Sequence, residues 1–563
     1  MNKKDYLIMA VLTVIYAVIA FSNLGATVAP ETFWQPQSQQ VELAVDFGET
    51  YDVSRVQLYP NIENASFEFA TSTRMDSPGE DAGELEKTEC FQWFTVEINK
   101  PARYVVIRMQ GRAINVGEIT FFDGEQKPIP VRNILGTTDQ TVTRMFDEAD
   151  KAPFESDYYH GTYFDEIYHA RTAYEFINHL LPYEITHPPL GKVIISLGIR
   201  MFGMTPFGWR FMGTLFGVLM VPLMYLLGKR LFKKTFFAAA ASILFTFDFM
   251  HFAQTRIATI DTYAVFFIML MYLFLYEYMR QDYCHAPMKK MVLMLGLCGL
   301  FFGLGAATKW TCLYAGAGLA VLFFIDLFCK YRRAKKEAQL AIFKGRTLRI
   351  ICWCLLFFIV VPVLIYAASY APLVVCEGQT WQSVINNQSY MFDYHSGLKE
   401  DHPYSSKWYE WIVMVKPIVF YRITPVDHPD QISTIASFGN PLVWWVGILA
   451  MLYLFCCALY YRDKKAWFIF IAYLAQLLPW MLVSRVVFIY HYFNSVPFLV
   501  LAIVYAITRY YEKNPKRCVA VTSAYLAGCV ALFALFYPVL SGLPAGVDYV
   551  RDTLIWFKQW YFV

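Results

Sequence analysis

Long apolar runs separated by short polar segments dominate the chain. Runs of about 17 to 25 residues, enough to cross a bilayer, centre on 6–23, 208–228, 235–252, 261–280, 290–307, 311–329, 349–371, 440–461, 466–484, 487–510 and 517–538. This pattern predicts eleven membrane helices. A further run, 188–204, is apolar enough to be a twelfth, yet it opens on a stiff, charged turn, His187-Pro188-Pro189-Leu190-Gly191-Lys192.

Charge decides between eleven and twelve. Basic blocks lie at Lys3-Lys4, Lys229-Arg230 with Lys233-Lys234, Lys289-Lys290, Lys330 to Lys336, Arg462 to Lys465 and Lys513 to Arg517. Such blocks mark cytoplasmic loops. Eleven spans with the N-terminus inside put every block on the cytoplasmic side; a twelfth would flip all but the first outward. The segment 188–204 is therefore expected along the outer interface as an amphipathic helix. The first run is long for a signal peptide and many spans follow, so it reads as a retained helix.

This topology leaves two large outer loops, about 24–207 and 372–439, and the C-terminus outside. The expected divisions are a first membrane helix in 1–30, an insertion at 31–135, a chemistry-bearing remainder of the loop at 136–207, spans two to seven in 208–371, the second outer loop at 372–439, and spans eight to eleven with the C-terminus in 440–563. The insertion changes character. "VELAVDF", "VSRVQLYP", "ASFEFATS", "FQWFTVEI", "RYVVIRMQ" and "VGEITFFD" read as strands, separated by turn-rich segments such as "MDSPGEDAGE". Short strands at this spacing predict a β-sandwich. Their order resembles the discoidin-like carbohydrate-binding jelly rolls, which implies a glycan or acceptor as ligand; a structural insertion with no ligand is the even alternative.

Composition agrees with a membrane protein. The 563 residues are 57% hydrophobic and 17% charged, whereas soluble proteins carry roughly a quarter charged residues. A net charge of +3 gives no sign of nucleic acid binding. Of the twelve cysteines, ten lie in or beside apolar runs, so there is no disulfide framework.

Candidate chemistry gathers at the expected outer ends of the spans. Asp165 and Glu166 precede a helical pattern, where acids suit the helix dipole, but His169, His187 and Lys192 follow within thirty residues. Asp248, His251, Arg256 and Asp261 fall between two spans, and an acid opening an apolar run, as Asp261 does, is a functional candidate by default. Lys309 sits in "GAATKWTCLY"; the second loop holds His395, His402, Lys407, Trp408, Trp411 and Lys416; Arg485, Tyr490 and His491 mark another helix end. Most of the aromatics are equally well explained as an interfacial belt.

The pieces "FDEIYHARTAYEF" with "THPPLGK", "RIATIDTY", "ATKW", "MFDYHSGLKEDHPYSSKWYEWIVMVKPIVFY", "FGNPLVWW" and "FIYHYFNSVPF", in this order over 155–510, resemble the protein O-mannosyltransferases. That family has the GT-C fold of polyprenyl-phosphate-sugar-dependent membrane glycosyltransferases. The resemblance implies an integral protein of the plasma membrane that moves mannose from polyprenyl-phosphate-mannose to Ser or Thr hydroxyls of exported proteins, with inversion. By the same resemblance Asp165 is the base, with Glu166 beside it positioning acceptor or sugar. His187, Lys192, Arg256, Asp261, Lys309, Lys416, Arg485 and His491 are then candidates for holding donor phosphate and sugar, and His395, His402, Trp408 and Tyr490 for the acceptor or sugar groove. A single phosphate can be met by Arg and Lys alone, so no obligatory metal is expected, although Asp165 and Asp261 could hold a divalent cation. The second loop, at about 67 residues, is too short for the MIR domain of eukaryotic members, which points to the bacterial type. Two other readings remain: glycosylation of a lipid or wall polymer, and a transporter or lipid-binding scaffold. Charges collected at one membrane face disfavour a transporter, whose functional charges sit near the midplane.

Overall fold

Helix α1 (Lys3–Phe21) starts on a reciprocal cap, in which Asn2 Oδ1 accepts from Asp5 N at 2.9 Å and the Asp5 carboxylate accepts from Asn2 N at 2.8 Å. The buried Asp5 carboxylate also accepts from Tyr225 (2.9 Å), Lys229 (2.8 Å) and Thr235 (2.7 Å), which pins the first helix to its neighbours. This computed structural model describes residues 1–76, 79–86, 88–397, 402–426 and 428–563. Ser77 and Pro78 of the expected turn, and residues 398–401 of the long second-loop motif, lie outside the described residues.

Beyond α1 the chain builds six strands: β1 (Gln40–Pro60), β2 (Ala65–Ser72), β3 (Glu80–Leu85), β4 (Phe94–Gly111), β5 (Val116–Asp123) and β6 (Asn133–Leu135). They pair antiparallel in the order β3-β2-β4-β1-β5, with β6 on β1. Hydrogen bonds thus join the six strands in one array. The predicted runs 41–47 and 53–60 are one strand, interrupted by register shifts between Asp46 and Tyr51 and between Val53 and Arg55. Gly48, at φ +86°, supplies the left-handed backbone at the first break. Two further predicted runs likewise merge into β4, and β3 occupies a segment read as turn. Leu43, Val45, Val56, Phe67, Ile107 and Phe121 give this region a core of its own, while Tyr59, Cys90, Phe91 and Trp93 pack into the core of the helices.

The chain then returns through α2 (Glu166–Ile177) and α3 (Leu190–Phe202) to α4 (Pro206–Phe232). At 13 residues α3 is about 20 Å long, short of a bilayer core of roughly 30 Å. It lies against α2 and α4. After α4 come α5 (Thr235–Thr246), α6 (Phe249–Thr255), α7 (Asp261–Met279), α8 (Met288–Thr308), α9 (Thr311–Lys336) and α10 (Leu340–Ser369). Helix α11 (Trp381–Gly397) and strands β7 (Ile418–Ile423) and β8 (Gln431–Ser437) form the second loop. The chain finishes with α12 (Pro441–Tyr461), α13 (Lys464–Leu482), α14 (Ile489–Lys513) and α15 (Pro515–Ser541).

Among the described residues ten helices are long and apolar enough to cross a membrane, and α5 with α6 makes eleven if the pair is one span. That pair is bent by 58°. The break has a side-chain cause: Asp248 caps α6 through His251 N (3.2 Å) and accepts from Asn440 N (3.2 Å) and Trp444 Nε1 (2.9 Å). The run 235–252 is therefore two helices. Because successive spans alternate, the starts of α7, α9 and α14 and the end of α8 share one end of the bundle, together with α2, α3 and α11.

Candidate active site

The residue before α2 is Asp165, and its backbone carbonyl accepts from Tyr168 N and His169 N at 3.1 and 3.0 Å. Its side chain makes no cap, and no described residue hydrogen-bonds its carboxylate. Phe164 just before it has φ +50°, a left-handed conformation costly for a ring-bearing residue, and its ring packs on Phe420 at 4.6 Å. Burial pushes the Asp165 carboxyl up to about 7; Asp261 adds to the rise and Lys309 opposes it.

Glu166, one residue on, is a different object. It is fully buried, and its oxygens accept from Arg210 Nε (2.8 Å) and Nη2 (2.7 Å), Trp209 Nε1 (3.1 Å), Ala258 N (3.0 Å) and Tyr163 N (3.3 Å). This carboxylate is spent on partners within the protein, chiefly the Arg210 guanidinium. Arg210 was missed in the sequence; its signal is a lone Arg inside an apolar run.

Asp261, first residue of α7, accepts from Lys309 Nζ at 2.7 Å, and both are nearly buried. Lys309 also lies 5.8 Å from the centre of the Tyr490 ring. It lines a cavity of ≈ 310 Å³ shared with His187, Trp310, His395, Trp480 and Arg485. Arg485 has no described hydrogen-bond acceptor, and it also borders an adjoining cavity of ≈ 780 Å³ lined by Lys407, Trp408 and Lys416. Asp165 does not itself line either; Asp261 and Lys309 are the charges that act most on it.

Six predicted residues thus line two neighbouring cavities: His187, Lys309 and His395 the first, Trp408 and Lys416 the second, and Arg485 both. Tyr490 stacks on Phe488 (5.6 Å) and on His491 (4.5 Å). His491 is buried between Tyr490, Trp411 and Trp480, and its Nδ1 donates to Phe488 O at 3.1 Å. His402 is exposed and packs edge-on to Phe488.

Two cations expected to grip phosphate border neither cavity; Lys192 is fully paired, while Arg256 Nη1 is buried without a partner among the described residues. Lys192 is 1% exposed, and its ammonium donates to Glu184 O (3.0 Å), His187 O (3.0 Å) and the Glu184 carboxylate. Those contacts use its three protons. Arg256 donates from Nη2 to Asn23 O at 2.7 Å, leans on Phe252, and lines neither cavity.

A family model described as dolichyl-phosphate-mannose-protein mannosyltransferase matches residues 137–374, and one described as the C-terminal four-span region of protein-O-mannosyltransferase matches 380–560. The chain belongs to the protein O-mannosyltransferase family. It is accordingly a membrane glycosyltransferase. The polyprenol-phosphate-mannose–protein mannosyltransferase of Mycolicibacterium smegmatis is 26% identical over 429 residues, covering 67% of this chain and 82% of that one. The protein of the same description from Mycobacterium tuberculosis is 26% identical over 461 residues, 70% of this chain and 86% of that one. Among solved structures, the S. cerevisiae protein O-mannosyltransferase Pmt1-Pmt2 complex bound to the sugar donor aligns with a TM-score of 0.59 at 12% identity, over 70% of this chain and 88% of that one. That likeness shows the shared GT-C fold.

Both family matches begin after the β-sheet, so this mannosyltransferase carries the sheet outside the matched core. The sheet's own cavity, between Val131 and Asp147, offers Asp139, but that carboxylate already accepts from Trp34 Nε1 (2.9 Å) and Thr141. Among the described residues no group of three or more His, Cys, Asp or Glu side chains is arranged to hold a metal ion. At the expected carboxylate pair, Lys309 takes up Asp261 Oδ1.

Proposed function

We propose that the protein transfers mannose from polyprenyl-phosphate-mannose to Ser or Thr hydroxyls of exported proteins, inverting the anomeric carbon, with Asp165 as general base. The observation that carries this reading is a carboxyl raised to about 7 with no described side-chain partner. Such a group can take a proton near neutral pH. Asp165 removes the hydroxyl proton as the acceptor oxygen bonds to the anomeric carbon, and the bond from that carbon to the phosphate oxygen breaks with its electron pair passing to the phosphate. Arg485, unpaired among the described residues, and Lys309 then face the growing phosphate charge. The names of the mycobacterial relatives support the donor and the protein acceptor.

The site end of the bundle is proposed to face outward across a plasma membrane. Support comes from the basic blocks, Lys229 to Lys234, Lys289-Lys290 and Arg462 to Lys465, which all sit at the opposite end. The decisive assay uses purified protein in lipid with polyprenyl-phosphate-mannose and a Ser/Thr peptide. Mannosyl-peptide should form with wild type and vanish with Asp165→Asn; full transfer by that variant would remove the assignment.

A further inference from the structure

Glu184 was not singled out in the sequence, and it lines neither cavity. Yet its carboxylate is the hub of the turn that carries His187. Oε1 accepts from Thr186 N (2.8 Å), from the Thr186 hydroxyl and from His187 Nδ1 (3.2 Å). Oε2 takes the Lys192 ammonium and lies 3.8 Å from His169 Nδ1. The turn is also held from outside: Thr172 accepts from Glu184 N (3.0 Å), Asn387 donates to Ile185 O (2.9 Å), and His395 Nε2 donates to Thr186 O (2.7 Å).

An ionised carboxylate only accepts, and the Thr186 hydroxyl, 3.0 Å from His187 Nδ1, spends its one proton on Glu184, so both contacts to the ring are satisfied with its proton on Nδ1. The other nitrogen, Nε2, has no described partner, and the ring borders the cavity with Lys309 and Arg485. We propose that Glu184 is a positioning residue that fixes the His187 ring so that Nε2 offers a lone pair to a hydroxyl of the donor's sugar. This rests on the reading of the cavity as the donor site.

The surroundings favour a neutral ring. Burial holds the His187 imidazole below its ordinary value, and Lys309 and Lys192 push the same way, against the pull of Glu184. His395, whose ring centre is 4.9 Å away, is held down to about 3 by burial, and His169, at 6.2 Å, is likewise held to about 3. The cavity therefore divides its work. Arg485 and Lys309 meet anionic oxygen, and His187 meets a hydroxyl.

The test measures kcat and KM for donor and peptide separately in the full-length protein, for wild type, Glu184→Gln, His187→Asn and the double variant. Each single change should raise donor KM about tenfold, the worth of one good hydrogen bond, with peptide KM unmoved. The double variant should match His187→Asn alone, and Glu184→Asp should restore part of the loss. With donors lacking one sugar hydroxyl at a time, one of them should bind wild type and Glu184→Gln equally. Additive losses in the double variant, an unchanged donor KM in His187→Asn, or an equal penalty with every deoxy donor would each overturn the proposal. His187→Asn leaves the Glu184 to Lys192 pair intact, so it reads the site even if Glu184→Gln folds poorly. Failure of the Asp165 assignment would appear in kcat of Asp165→Asn instead, and so remains distinguishable.

Discussion

The β-sheet region and the site end of the helix bundle each hold a carboxyl raised by burial, and the two differ in what surrounds them. In the sheet, Glu118 is pushed up to about 8, with Oε1 accepting from the Thr120 hydroxyl (3.0 Å) and Oε2 from Glu148 N (2.9 Å). Beside the bundle, Asp165 reaches about 7 with its carboxylate unclaimed among the described residues. A raised value alone therefore does not mark a catalytic acid or base. The useful signal is a raised value joined to free bonding capacity near other charges.

That comparison can be broken in several ways. The largest effect should come from Asp165→Asn, which should lower transfer by about 10²- to 10⁴-fold without lowering the unfolding midpoint, since no side-chain bond is lost. A large fall in stability would place Asp165 with Glu118 as a structural acid. Next, Glu166→Gln or Arg210→Met should cost about 3 to 5 kcal/mol of stability by stranding one half of a buried ion pair, read as a lower unfolding midpoint and yield.

Smaller shifts sharpen the contrast through pH. A base raised to about 7 must lose its proton to work, so kcat/KM should climb through pH 7 with an acid limb there. Lys309→Met removes a cation that lowers the Asp165 value, and the limb should move to higher pH. In the sheet, a carboxyl whose folded value exceeds its unfolded one contributes stability that is full below about 4.5 and is lost as pH rises to about 8. Glu118→Gln mimics the protonated form, so it should flatten the dependence of unfolding temperature on pH over that window and leave transfer unchanged. A slope that survives in Glu118→Gln would assign it to other groups.

The sequence made the helical part largely legible, because length and hydropathy set the spans. It could not show the 58° bend between α5 and α6, since that depends on Asp248 meeting Asn440 and Trp444 from a distant helix. Merged strands escaped for a related reason: a bulge at Gly48 looks locally like a turn. In the site, residue type alone could not separate Asp165 from Glu166, or Lys309 from Lys192. Which side chain is spent on a partner is decided by the fold: Glu166 is taken by Arg210, 44 residues on, and Lys192 by Glu184, eight residues before it.

Arg210 has one more consequence. Its Nη1 donates to Leu24 O (2.9 Å) and its Nη2 to Gly161 O (2.7 Å), and Ala26 N donates to Tyr159 O at 2.7 Å. The chain thus leaves the bundle and re-enters it at neighbouring points, with the whole sheet strung between. Topologically the sheet is a cartridge plugged into a socket that closes on itself. The plug is also gripped along its side, because Thr162 N donates to Phe91 O at 3.0 Å and the Phe91 ring packs on Tyr174 of α2 at 5.0 Å, so the sheet helps to seat the segment that carries Asp165.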